Sequence, residues 1–264
     1  MCGIIGIFNH PHAFKQTKKA LALLRSRGRD GVGASNFDTV VQGKIVSRLP
    51  ALSGDSCVGH MLHAVVSRVL QPLKKSKGVL VVNGEIYNWK KLSKKYRFSV
   101  KNDAEMLLHF IDRFGMGRID QLDGVYALAY WDRSSNGETV TLARDLLGEK
   151  PLWYVHEQGH FAFASEKKIL EKLGYEHISE LHPRQILVYD VTEDSIRYLL
   201  RDFFTCLPEH PDNYSMILKT TERLLAKAID KRVPQKKLGL LFSGGLDSTY
   251  LAHYLHKKKI PFTC

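Results

Sequence analysis

The sequence predicts an α+β fold that then opens into a parallel α/β sheet. Three observations carry this. Helical patterns occur early, at residues 15–27 and 102–114. Short apolar runs separated by turn signals then crowd residues 125–190. Finally, an apolar run at 238–242 passes through a glycine turn into another helical pattern. Strands spaced by short turns pair antiparallel, whereas strand, glycine turn, helix is how a parallel sheet begins.

Taken in order, residues 2–8 are an apolar, β-branched run and predict a buried strand. Residues 15–27 carry Ala20, Leu21, Leu23 and Leu24 on one side, with Gly28 as a helix stop. Residues 25–31 form a charged turn, and 40–49 and 57–66 have strand character. Residues 78–82 are a buried strand that delivers Asn83-Gly84-Glu85-Ile86-Tyr87-Asn88 at its end. Asn102 or Asp103 caps the next helix, whose apolar face is Met106, Leu107, Phe110, Ile111 and Phe114, and Gly115 ends it. Strands follow at 125–131, 139–143, 152–155, 161–164 and 185–190, with turn signals at Ser135-Asn136-Gly137 and Gln158-Gly159. Residues 213–232 make a long amphipathic helix, 238–242 a strand, and a last helix runs to His256. The expected domains are residues 2–200 and 201–264, with Pro208 and Pro211 in the connection.

The chain has 264 residues, 44% of them hydrophobic, and no run near the roughly 20 apolar residues of a membrane span. The N-terminus lacks a basic leader and turns polar soon, so no signal peptide is expected. Cys2, Cys57, Cys206 and Cys264 are scattered without CxxC spacing. A reducing cytoplasm, no disulfide framework and no zinc site are the expectation. His60 and His63 are poor joint ligands, because positions i and i+3 of a strand face opposite sides. The net charge is +12, with lysines clustered at 74–77, 90–95 and 257–259. These clusters are not interleaved with aromatics, so a solvated surface is favoured over nucleic-acid binding.

Cys2 follows the initiator Met1. Once Met1 is removed, a thiol and a free α-amine share one residue. An amine of pKa about 7.7–8.0 can take the thiol's proton near neutral pH, which makes a self-contained nucleophile and base. The thiolate is the reactive species. On position alone, a small cysteine after Met1 has no necessary role.

Six ordered segments sharpen this: Met1-Cys2-Gly3-Ile4, Asn83 to Asn88, Leu122-Asp123-Gly124, Arg144-Asp145…Gly148…Pro151-Leu152, Ala164-Ser165-Glu166 and Ser243-Gly244-Gly245-Leu246-Asp247-Ser248. In this order and spacing the chain resembles the glutamine-hydrolysing asparagine synthetases, nearer their asparagine-synthetase-domain-containing branch. The resemblance implies a four-layer αββα N-terminal-nucleophile sandwich with class II amidotransferase chemistry. It is followed by the first strand, loop and helix of an ATP-pyrophosphatase-type parallel-sheet nucleotide-binding domain. It implies Cys2 as nucleophile, with the Asn83 side chain and the Gly84 N–H as the oxyanion hole. Glu85 and Asp103 would hold the α-ammonium of glutamine; for Asp103, spacing alone leaves a helix cap equally open. Family members carry an arginine after the histidine of a His-x-Arg segment, which clamps the substrate carboxylate. Here Gly59-His60-Met61-Leu62-His63-Ala64 has leucine or histidine there; Arg68, a few residues on, is the expected substitute, with a protonated His63 as a weaker alternative.

The second site is a glycine turn at a helix N-terminus, an anion cradle by its backbone N–H groups. It lacks the Lys of a P-loop. The resemblance implies that Leu241 and Ser243, Gly244, Gly245, Leu246, Asp247 and Ser248 meet ATP and pyrophosphate, with Mg²⁺ near Asp247. Aspartate would be activated as acyl-AMP and captured by ammonia. Another carboxylic acid acceptor, or a degenerate domain kept for interaction, stays open. Only one strand and one helix of the second domain are in these residues, so a second polypeptide carrying the rest is expected, and a homodimer is compatible.

Overall fold

Every residue of β1 (Gly3–Phe8) is buried, because the strand lies inside a sheet and between two layers. The structure, a computed structural model, describes residues 1–65, 68–134, 137–204, 213–234 and 237–264. These residues divide into two units, Met1–Phe203 and Phe204–Cys264.

In the first unit, β1 is followed by α1 (Ala13–Leu23), β2 (Gly31–Ser35), β3 (Val40–Gly43), β4 (Cys57–Leu62), β5 (Leu73–Lys75) and β6 (Gly78–Ile86). Next come α2 (Trp89–Tyr96), α3 (Asp103–Phe114), β7 (Gly124–Ser134), β8 (Gly137–Arg144), β9 (Trp153–Glu157) and β10 (His160–Ala164). The unit closes with α4 (Lys167–Leu173), β11 (Ser179–Glu180), β12 (Gln185–Asp190) and β13 (Ser195–Leu200). One sheet has the order β11-β9-β10-β1-β4-β2-β3, the other β13-β12-β8-β7-β6-β5.

Strand alternation builds the layers. On β1, Ile4 and Phe8 face the second sheet, while Ile5 and Ile7 face α1 and α4. On β6, Val79 and Val81 face the first sheet, while Leu80, Val82 and Ile86 pack under α3 through Leu107, Phe110 and Ile111. The inter-sheet core is aromatic at its centre, with Phe8 edge-on to Trp131 at 5.1 Å and Phe161 stacked on Tyr189 at 4.3 Å. The result is the α-β-β-α sandwich that the resemblance implies.

Some local expectations differ. The charged turn at 25–31 ends in a strand, β2, whose Gly33 has no room for a side chain: a Cβ would sit 2.2 Å from the Gln71 carbonyl. Gly28 is not the stop of α1; its Cβ would meet the Leu62 carbonyl at 2.5 Å, so it is small for close approach. Residues 40–49 pair only over Val40–Gly43. Asn102, not Asp103, caps α3, accepting from the Glu105 N–H at 2.9 Å. The Ser135-Asn136 turn signal lies outside the described residues.

The second unit holds α5 (Tyr214–Asp230), β14 (Leu238–Gly239), α6 (Leu246–Lys257) and β15 (Phe262–Thr263). β14 pairs parallel with β15, giving strand, helix, strand. The strand expected over 238–242 is only two residues long, because β15 offers two partners and the ladder stops there. Leu241 is consequently 97% exposed. Among the described residues no helix is long and apolar enough to cross a membrane.

His60 braces the two sheets. It is fully buried on β4, and its Nε2 lies 3.2 Å from the Val82 carbonyl of β6. Burial pushes its pKa from 6.5 down to about 3, against the opposing bond to the Val82 carbonyl, and so keeps the ring neutral. The unfolded chain takes up a proton first as pH falls, so stability is complete above about 6.5 and is lost as pH drops towards 3. Denaturation midpoints measured across that window are expected to fall steeply for the native chain and more shallowly for His60→Gln. Equal slopes would remove His60 as the cause.

Candidate active site

β6 outruns its neighbour. β5 pairs only with Gly78, Val79 and Leu80, so from Val82 onward one edge of β6 has no strand beside it. Side chains take the groups that point there. The Gln71 amide accepts from the Val82 N–H at 2.8 Å and donates to its carbonyl at 3.3 Å. Two strand steps further, the Ile86 N–H donates to Asp103 Oδ2 at 3.0 Å. Gly84 lies between them and, by the two-residue period, presents its N–H to the same open edge. On the far side Tyr126, opposite Gly84, accepts from and donates to Asp145 instead. Gly84 must be glycine, since a Cβ would stand 2.5 Å from the Val125 carbonyl and 2.6 Å from Tyr126 Cβ. Asn83 is 2% exposed, and its Nδ2 has no hydrogen-bond partner among the described residues. A buried amide donor without an acceptor costs about 1–3 kcal/mol unless something fills it.

Cys2 faces these donors. It precedes β1 and shares the alternation of Ile4, which points into the gap between the sheets. Asn83 shares the alternation of Val79 and Val81 and points into the same gap from the opposite sheet. Arg27 holds the Cys2 main chain, its Nε donating to the Cys2 carbonyl at 2.8 Å while Nη1 pairs with Glu166 at 2.9 Å. Ser165 clamps the next residue: the Ile4 N–H donates to its Oγ at 2.9 Å, and the Ser165 N–H donates to the Ile4 carbonyl at 3.0 Å. The Cys2 Sγ accepts from the His63 N–H at 3.3 Å. Burial raises the Cys2 pKa, an effect that this bond and the nearby N-terminus partly offset. The N-terminal ammonium of Met1 is lowered, by burial first, although the neighbouring Cys2 opposes this.

Cys2, Asn83, Gly84, Glu85 and Asp103 line one pocket. Asp103 is 9% exposed, and its pKa is raised by burial against the opposing bonds from Ile86 and Ala104. The site therefore offers a thiol, two unfilled donors for a developing oxyanion and two acids for a cation. Residues 1–210 match the family described as glutamine amidotransferase domain. The chain belongs to that family. A Methanocaldococcus jannaschii relative bearing the asparagine synthetase [glutamine-hydrolyzing] name is 32% identical over 96% of this chain and 51% of its own. Asparagine synthetase [glutamine-hydrolyzing] 1 of Saccharomyces cerevisiae is 30% identical over 96% of this chain and 43% of its own. The amidotransferase chain thus spans about half the length of the curated relatives it matches. The Bacillus subtilis glutamine phosphoribosylpyrophosphate amidotransferase, complexed with ADP and GMP, superposes with a TM-score of 0.68 at 20% identity. That match covers 99% of this chain and 65% of the other, and shows the shared fold.

Within this amidotransferase, the structure does not bring Arg68 to the pocket. Arg68 is exposed and lines a separate recess with Arg29, Asp30, Lys44 and Ala64. Leu62, in the segment where the arginine is expected, is 5% exposed and does reach the pocket wall, as does His63, which lies 3.7 Å from Asp30. Three residues that the sequence reading did not assign shape the site: Arg27, Gln71 and Lys150. Arg27 lies in the charged turn, Gln71 precedes a cis proline, and Lys150 sits inside the Arg144–Pro151 motif.

In the second unit, Gly244 adopts φ +78° before α6, with open space around it. Ser243 Oγ lies 3.2 Å from Ser248 Oγ and accepts from the Gly245 N–H at 3.4 Å. Asp247 is in the first turn of α6, and Leu246 is 86% exposed. The loop is a concave backbone turn ending at a helix whose first N–H groups lack a side-chain cap.

The two buried thiols differ in a way that chemistry can read. Cys57 is pushed up to about 12 by burial, whereas Cys2 is raised but reaches the pocket. With Met1 attached, iodoacetamide is expected to modify neither quickly at neutral pH. Raising the pH towards about 9.5 should accelerate Cys2 alone, as peptide masses would show. Parallel labelling of both thiols would contradict this geometry.

Proposed function

We propose that the chain is the glutaminase portion of a glutamine-dependent asparagine synthetase. The observation that carries the reading is the buried Asn83 Nδ2, without a partner among the described residues, in the pocket that Cys2 and Gly84 also line, where the two-residue period turns the Gly84 N–H to the open edge. After removal of Met1, the Cys2 amine takes the thiol proton and the thiolate attacks the side-chain amide carbon of glutamine. The carbonyl oxygen becomes an oxyanion between the two donors. The protonated amine then gives its proton to the departing ammonia, leaving a thioester on Cys2. Water, deprotonated by the same amine, releases glutamate. Glu85 and Asp103 hold the substrate's ammonium and so bring the amide to the thiol.

The relatives' names support aspartate as acceptor of the ammonia. The reading places the reaction in a reducing cytoplasm, for which the scattered cysteines are the argument, with a second polypeptide as the partner that carries the rest of the synthetase domain. The Ser243–Ser248 turn fits phosphate: its glycine adopts a left-handed conformation in open space, and the α6 N–H groups are uncapped. These residues would hold the phosphates of ATP, with Asp247 placed to meet Mg²⁺. Bound ATP would activate the aspartate carboxylate as acyl-AMP. Aspartate-dependent pyrophosphate release is the readout for this half.

The first test is glutamate release from glutamine by chain whose mass shows Met1 removed. Cys2→Ala is expected to abolish it. Asn83→Asp, which keeps the shape and loses the donor, should lower kcat by about 10²–10³. No release by the native chain, or equal release by Cys2→Ala, would overturn the reading.

A further inference from the structure

A free α-amino acid brings two charges into its site. Glu85 and Asp103 answer the ammonium, and the carboxylate needs a cation. Leu62, in the segment that would carry it, is a buried aliphatic side chain, and Arg68 is off the wall. Among the described residues, Lys150 is the single lysine or arginine that lines the pocket.

Its surroundings leave its charge available. The Lys150 side chain is 12% exposed, and its one ion pair, with Glu149, spans 3.9 Å to a side chain that is 56% exposed. An ammonium so far removed from water and so loosely paired gains from a closer anion. Its position is also fixed. The Lys150 N–H donates to Asp145 Oδ2 at 3.2 Å, and its carbonyl accepts from Arg144 Nε at 2.7 Å. Arg144 and Asp145 are themselves 3% and 4% exposed. Arg144 Nη2 also bonds the Gly148 carbonyl at 2.6 Å, and Gly148 takes φ +67° to make the turn. A rigid, buried cage therefore presents one lysine to a pocket whose other charged side chains are acidic or histidine.

We propose that Lys150 binds the α-carboxylate of the amino-acid substrate, in place of the arginine expected near Leu62. The inference rests on the glutaminase reading above and assigns that site its second charge contact. A lysine meets a carboxylate as a point charge rather than as a fork, so it fixes the charge more firmly than the orientation.

The experiment compares two amides on chain with Met1 removed: L-glutamine and 4-aminobutanamide, which is glutamine without its α-carboxylate. For Lys150→Gln, KM for glutamine is expected to rise about 10–100-fold, the loss of one charge-assisted bond, with KM for 4-aminobutanamide unchanged. Lys150→Arg should restore most of the glutamine KM. If Lys150→Gln weakens both amides alike, the residue merely supports the fold, and the proposal is overturned while glutaminase activity stands. An unchanged glutamine KM overturns it equally. If the native chain releases no glutamate at all, the glutaminase reading itself falls and carries this inference with it.

Discussion

The site depends on an open sheet edge inside the first unit. A strand that lacks a neighbour exposes a row of N–H and C=O groups, each of which needs a partner when buried. β6 meets this demand unevenly. Gln71 takes both groups of Val82, and Asp103 takes the N–H of Ile86. Between them the Gly84 N–H is left over, next to the unpartnered Asn83 amide. Had the pairing with β5 continued as far as Gly84, the ladder would have consumed its N–H and left only the Asn83 side chain as donor. The short β5 and the Gln71 side chain ahead of it therefore shape the site, although neither carries chemistry.

The opposite wall is set by the N-terminus. A chain end ordinarily frays, because nothing precedes it to pair. Here Arg27 bonds the carbonyl of Cys2, and Ser165 bonds both main-chain groups of Ile4. Glu166 in turn holds Arg27. The Ala164-Ser165-Glu166 segment thus ties β10 and α1's trailing turn to the first residues of β1. His60 spans the gap to the Val82 carbonyl and fixes the distance between the two walls from within.

Much of this was legible. Cys2, Asn83, Gly84 and Glu85 were readable from ordered motifs and Asp103 only through the family resemblance, and all five meet in one pocket. The extent of β6 was not: Asn and Gly disfavour strands, so local pattern ends the strand at Val82, while nonlocal pairing with β7 continues it to Ile86. β2 was hidden for the same reason, since Gly-Val-Gly-Ala-Ser shows no alternation and is chosen for close approach to Gln71. Arg68 lies near in sequence yet faces another recess, while Lys150 is distant in sequence and reaches the pocket. Proximity along a chain predicts little once a strand ends and a loop leaves it. The stretch around Val66 and the region near Cys206 lie outside the described residues.

The electrostatics of the pocket favour charge that is absent at rest. Burial raises the pKa of the Cys2 thiol and so favours its neutral form. Before substrate enters, the site therefore holds a thiol beside the Asn83 amide, which has no partner among the described residues, and the Gly84 N–H that faces the open edge. Under the proposed reaction, negative charge moves from sulfur to the amide oxygen, where those donors wait. Their interaction strengthens only as that charge forms, which is the condition for lowering a barrier rather than merely tightening ground-state binding. Under the same proposal the acidic pair and Lys150 would do the complementary work at the far end of the substrate, where charge does not change during the reaction. One end of the pocket would then govern kcat and the other KM, a division built into which β6 donors the fold leaves unfilled and which side chains line the remainder.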